Sequence, residues 1–191
     1  MTPTFLGGEP VVAQSGKYEG NTILQDEQNL GLAFMDSLDA GQQQQATVQT
    51  EKTGNAPMAA ANEDNMILDY VGVPGSALNS AQKAKLLALV AQYVGTMRDD
   101  QAAVRMDQVE LHLDDTYFSW VGAVNSEAVF YYRVHSPVVL IEFDHQNPVG
   151  TTMINPAGTP TRDHIHTVIR TPNGNDYGKD LLRQHLETHP H

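Results

Sequence analysis

The chain contains no cysteine, which removes disulfides, thiolate ligands and thiol nucleophiles and leaves any bound metal to nitrogen and oxygen donors. Basic residues are scarce as well. Only 11 Lys and Arg stand against 23 Asp and Glu, a formal net charge of -12. Such a surface field repels phosphate backbones and anionic lipid, so nucleic acid and membrane are not expected as partners. No apolar run approaches the ~20 residues of a membrane span. Residues 1–8 show neither the basic start nor the apolar stretch of a signal peptide, and localisation stays open. A Gly-x-Ser-x-Gly elbow, a P-loop and a dinucleotide fingerprint are all missing, which takes away the signatures of several large enzyme classes.

What is present suits one α+β domain over residues 1–191. That length builds one real core and not two comfortable ones. Residues 21–38 repeat apolar side chains at helical spacing (Ile23, Leu30, Phe34, Leu38), and Asp39 is placed to cap a short helix through Gln42–Gln45. Residues 49–65 have no period and predict a flexible loop. Asn79, with Gln82 three residues on, predicts a capped helix carrying the stripe Leu86, Val90, Tyr93, Met97. A short helical stretch is expected after Arg98.

From Val109 the pattern alternates. Val109, Leu111 and Leu113 are read as the inward side of a first strand, followed by strands over residues 117–121, 129–135 and 138–144. Ser136-Pro137 is short enough for a hairpin turn that sets Arg133 and His135 across from Leu140 and Glu142. The architecture expected is therefore N-terminal helices on a mainly antiparallel C-terminal sheet, with a closing helix over residues 179–186.

The most informative segment is Asp163-His164-Ile165-His166-Thr167-Val168-Ile169-Arg170. Residues two apart on a strand share a face, so His164 and His166 project side by side while Ile165, Thr167 and Ile169 face the core. One cation can take a ring nitrogen from each imidazole. The other chemically loaded residue is Glu142, a carboxylate inside Val139-Leu140-Ile141-Glu142-Phe143. A buried carboxylate needs a partner, and two are open to it: an ion pair with Arg133 or Arg170, or a metal. His135, His112, His145 and Asp176 are further candidates. His185 and His189 lie four apart on the closing helix and share a face. His189 and His191 are read as surface histidines, and His185 is kept as a possible ligand.

Several segments in order resemble a known family: Thr-Pro-Thr-Phe-Leu-Gly-Gly-Glu-Pro near the start, Phe-Ser-Trp-Val-Gly at 118–122, Tyr-Tyr-Arg at 131–133, Leu-Ile-Glu-Phe-Asp at 140–144, Asp-His-Ile-His-Thr at 163–167, Arg170, Asn-Asp-Tyr-Gly at 175–178 and Asp-Leu-Leu at 180–182. Together they look like the bacterial family termed domain of unknown function 3500. The resemblance implies importance for Arg133, Glu142, His164, His166, Arg170, Asp176 and Gly178, and no reaction. It also implies that this chain corresponds to the C-terminal half of longer, often exported members whose upstream half carries a Gly-His-His motif.

The functional expectation is a metal-dependent enzyme, hydrolytic or oxidative. His164, His166, Glu142 and His185 would hold a divalent metal (Zn, Cu or Fe), and Arg133, Arg170 and Glu142 would act on a small-molecule substrate. The alternatives are a non-catalytic metal- or ligand-binding module, or a structural domain without metal. Self-association is the remaining partner expectation, because a face that met an upstream half would need cover.

Overall fold

The structure is a computed structural model that describes residues 2–56 and 67–189. Strand β1 (Thr4–Gly8) comes first, followed by helices α1 (Gln25–Asp36) and α2 (Ala40–Ala46) and the short strands β2 (Thr47–Gln49) and β3 (Val73–Pro74). Helices α3 (Ser80–Val94) and α4 (Asp99–Leu111) precede four strands, β4 (Tyr117–Gly122), β5 (Phe130–His135), β6 (Leu140–His145) and β7 (Ile165–Arg170), and α5 (Lys179–Thr188) closes the chain. The sheet runs β1-β7-β6-β5-β4-β2, with β3 also pairing β4. Every pairing is antiparallel except β2 with β4. This is the expected α+β architecture.

The helix starts follow their capping chemistry. Asp39 accepts from the Gln42 amide and Asn79 from the Gln82 amide, each at 2.9 Å, and each glutamine side chain reaches back to the cap residue. One expectation is corrected. Val109, Leu111 and Leu113 do not open a strand, because α4 continues to Leu111 and a short 3-10 turn follows. Ala102, Met106, Val109 and Leu113 keep helical spacing and pack on the core, whereas Leu111 is 80 % exposed. A sustained 3.6-residue period outweighs three alternating positions. β1, a strand not anticipated from the sequence, lies along β7 with Phe5 opposite Val168 and Gly7 opposite His166. Of the loop expected over residues 49–65, residues 50–56 form no helix or strand, Gln49 ends β2, and residues 57–65 lie outside the described residues.

Register determines what shares a face. Phe118, Trp120, Phe130, Tyr132, Val134, Ile141, Phe143, Ile165 and Ile169 belong to one face and are all buried. Their rings stack on one another and meet the helices: Tyr132 lies 5.0 Å from Phe143, and Phe34 of α1 meets Phe118 edge-on at 4.7 Å. Gly31 of α1 lets that helix come close, because a Cβ there would stand 2.2 Å from the Tyr132 ring. The Tyr132 hydroxyl donates to the Glu27 carbonyl at 2.8 Å, so the Tyr93 hydroxyl bonded to it must be the donor of that pair.

Candidate functional site

The opposite face is polar. Successive rows across the central strands are Tyr117, His135, Leu140 and Arg170; then Ser119, Arg133, Glu142, Val168 and Phe5; then Val121, Tyr131, Asp144, His166 and Gly7. Ser119, Arg133, His135, Glu142, Asp144 and Arg170 are buried. Their cover comes from two connecting segments. Lys52 pairs with Asp144 at 2.9 Å, both side chains being buried, and the Ala56 amide donates to the same carboxylate at 2.8 Å. Asn55 accepts from the Asn147 amide at 2.7 Å. On the other side Arg133 donates to the Asp69 carbonyl at 3.0 Å, and the Tyr70 ring stacks on His135 at 4.1 Å.

Glu142 is fully buried, and the Tyr131 hydroxyl donates to its Oε1 at 2.6 Å. Burial pushes the Glu142 carboxyl up to about 7, against the pull of Tyr131, Arg133 and Arg170. Its Oε2 has no hydrogen-bond partner among the described residues. Asp144 is likewise pushed up to about 6 by burial, despite Lys52. Two carboxyls that can exchange protons near neutrality therefore sit two residues apart on one strand, facing the same way. Arg170 donates to Asp176 at 3.3 Å, and the Thr171 amide donates to the same carboxylate at 3.1 Å.

His164 stands one residue ahead of β7 and keeps the strand's parity. Its Nε2 lies 3.0 Å from the Nε2 of His166, with the rings nearly perpendicular at 86°. The His164 Nδ1 lies 2.7 Å from the Asn147 carbonyl. A carbonyl only accepts, so Nδ1 carries the proton and, in neutral His164, Nε2 presents a lone pair to His166. Burial and the His164 ring hold His166 down to about 4, and it is neutral at ordinary pH. The His166 ring lies over β1, where Gly7 leaves room: a Cβ there would stand 2.9 Å from the ring. Glu9, just past β1, lies 3.4 Å from His164 Nδ1. Burial works against the Glu9 charge, but hydrogen bonds from Gly150, Thr151 and Val149 bring its carboxyl down to about 2.

The sequence-derived candidates thus separate. His164 and His166 converge, while Glu142 gathers with Tyr131, Arg133 and Arg170 one row away. His185 stacks on His189 at 4.9 Å on the outer surface of α5. His145 turns into the apolar face against Phe143, and His112 ends α4. Among the described residues no group of three or more His, Asp or Glu side chains is gathered as a metal would need, so Glu142 and His185 do not complete a ligand set with the two histidines. Sequence reasoning missed Glu9, Lys52, Tyr131 and Asp144. Asp144 and Tyr131 share the parity of Glu142 and Arg133 and were open to that argument. Lys52 and Glu9 act from distant segments and left no local signal.

A cavity of about 260 Å³ lies beside this face, lined by Lys52, Thr53, Ala56, Val121 and Tyr131 among others. No described helix is long and apolar enough to cross a membrane. A family model described as protein of unknown function (DUF3500) matches residues 1–179. No curated protein and no solved structure matches the chain.

Proposed function

The chain belongs to the DUF3500 family, and from that premise, which carries no reaction, we propose that it is a metal-dependent enzyme in which His164 and His166 hold a divalent cation beside a buried acid–base group. The observation that supports this is the approach of the two Nε2 atoms to 3.0 Å with the His164 proton committed to Nδ1. Two imidazole nitrogens on one tetrahedral Zn at ~2.0–2.1 Å stand ~3.4 Å apart. A few tenths of an ångström and a proton shift on His166 turn the pair into two ligands. The remaining positions fall to water or substrate. A cation with open positions supplies a Lewis acid that lowers the pKa of bound water, or a centre for oxygen chemistry.

The chain's own groups divide the rest of the work. Glu142 is a cross-strand diagonal neighbour of His166, a relation that spans about 7–8 Å. With a carboxyl near 7 it accepts a proton at neutral pH and returns it. Tyr131 fixes its rotamer. Arg133 and Arg170 place positive charge on this face, which suits a small anionic substrate. The cavity beside Tyr131 lies across the Lys52–Asp144 pair from His166 and has room for a small molecule only.

Titration calorimetry with Zn, Cu and Fe(II) on untagged protein tests the reading. One equivalent should bind, and His164→Ala or His166→Ala should weaken it at least tenfold. If neither alanine variant changes the affinity, or no metal binds, the pair is a histidine–histidine hydrogen bond of structural use and the proposal fails.

A further inference from the structure

We infer that Glu9 is the positioning residue of His164, fixing which imidazole nitrogen faces His166; the inference concerns the same site and rests on the reading of that pair as ligands. Glu9 follows β1 and reaches across to the segment after β6. Its carboxylate accepts from the amides of Val149 at 3.0 Å, Gly150 at 2.9 Å and Thr151 at 2.9 Å, and also from the Thr151 hydroxyl. Three consecutive amides closing on one carboxylate form an anion-binding nest. The nest holds the backbone that begins at Asn147, whose carbonyl takes the His164 Nδ1 proton at 2.7 Å. The same carboxylate stands 3.4 Å from that nitrogen.

Glu9 therefore acts twice. By clamping residues 149–151 it keeps the Asn147 carbonyl where Nδ1–H can donate to it. By placing a negative charge beside Nδ1 it favours the proton there and strengthens Nε2 as a donor of its lone pair. Metal-ligating histidines commonly have such a carboxylate or carbonyl behind the ring, and loss of that partner typically costs 10–100-fold in metal affinity. Here both kinds of partner stand behind one ring, and one residue arranges both. A free imidazole side chain favours its Nε2–H form, so without this arrangement the ring would turn a proton, not a lone pair, toward His166. Glu9 touches no substrate or cation; it works through His164.

The test combines nitrogen NMR of the imidazoles in metal-free protein at neutral pH with Zn titration. In wild type, His164 should be the Nδ1–H form. In Glu9→Ala it should move toward the Nε2–H form, and Zn affinity should fall 10–100-fold with one site retained. Thr151→Val removes one hydroxyl donor and leaves the three amides, so it should keep the His164 form and hold Zn affinity within about threefold. Glu9→Gln, which lacks the charge and cannot accept all four donors, should shift the ring in the same direction and serves if Glu9→Ala does not fold. Unchanged His164 tautomer in both Glu9 variants overturns the inference. If wild type takes up no Zn, the metal reading falls, and the tautomer comparison still decides the role of Glu9.

Discussion

On one face of the sheet Phe118, Trp120, Phe130, Tyr132 and Phe143 stack ring on ring beneath helices, while on the other Arg133, His135, Glu142, Asp144 and Arg170 are as deeply buried beneath connecting segments. Equal burial hides unequal energetics. Apolar contact gains from each ångström of area removed from water and asks little of any one partner. Buried charge loses solvation first and recovers it only where a particular neighbour is in place. The aromatic face holds the fold together. The polar face is held by it, and groups kept at such cost are more often there for chemistry than for stability.

The largest effect that would break this comparison is on the aromatic side. Phe143→Ala should cost about 3–5 kcal/mol in chemical denaturation, since it empties space between Phe130, Tyr132 and His145. A loss below ~1 kcal/mol would mean that the ring stack is not the chief source of stability. Lys52→Met comes next, because it strands Asp144 in a buried position. The expected loss is about 3 kcal/mol at pH 8. It should shrink towards pH 5, where Asp144, already raised to about 6 by burial, takes up a proton and no longer needs the ammonium. A cost independent of pH would place the role of Lys52 in packing.

An effect read only as a change with pH sharpens the comparison. The Glu142 carboxyl is raised by burial from 4.5 to about 7. A group with a raised folded-state pKa favours the native state fully below 4.5 and loses that contribution as pH climbs through 7. Wild-type melting temperature should therefore fall relative to Glu142→Gln between pH 4.5 and 7 and run parallel to it above. His135, lowered to about 4 chiefly by burial, tilts both proteins the other way and cancels in the difference. Parallel curves over the whole range would show that Glu142 titrates as an exposed carboxylate does.

The helices beginning after Asp39 and Asn79, and the strands around Trp120, Arg133, Glu142 and His166, are legible in sequence because capping chemistry and alternation are local signals. The hairpin through Ser136-Pro137 even carries its register, Arg133 opposite Glu142. Val109 to Leu113 misled because Val109 and Leu113, four apart, suit one side of a helix as well as of a strand, and only the exposed Leu111 tells them apart. The site divides along the same line. The histidine pair follows from parity within one strand, whereas Lys52 on Asp144 and Glu9 on residues 149–151 depend on chain segments remote in sequence. Tyr131 as the partner of Glu142 needed the β5–β6 register together with the direction of a long side chain.

The first strand has one neighbour in the sheet, and that neighbour is the last strand. The hydrogen bond from Val149 to Glu9 spans 140 residues and that from Thr167 to Leu6 spans 161. During synthesis β1 must wait, unpaired, until β7 has followed. Long-range pairing of this kind is slow, because loop closure is met before any contact repays it. Glu9 thus reaches the histidine pair late in folding, when β1 joins β7. A chain in which β1 has not yet paired can form its aromatic core and still lack the support that Glu9 gives the histidine pair.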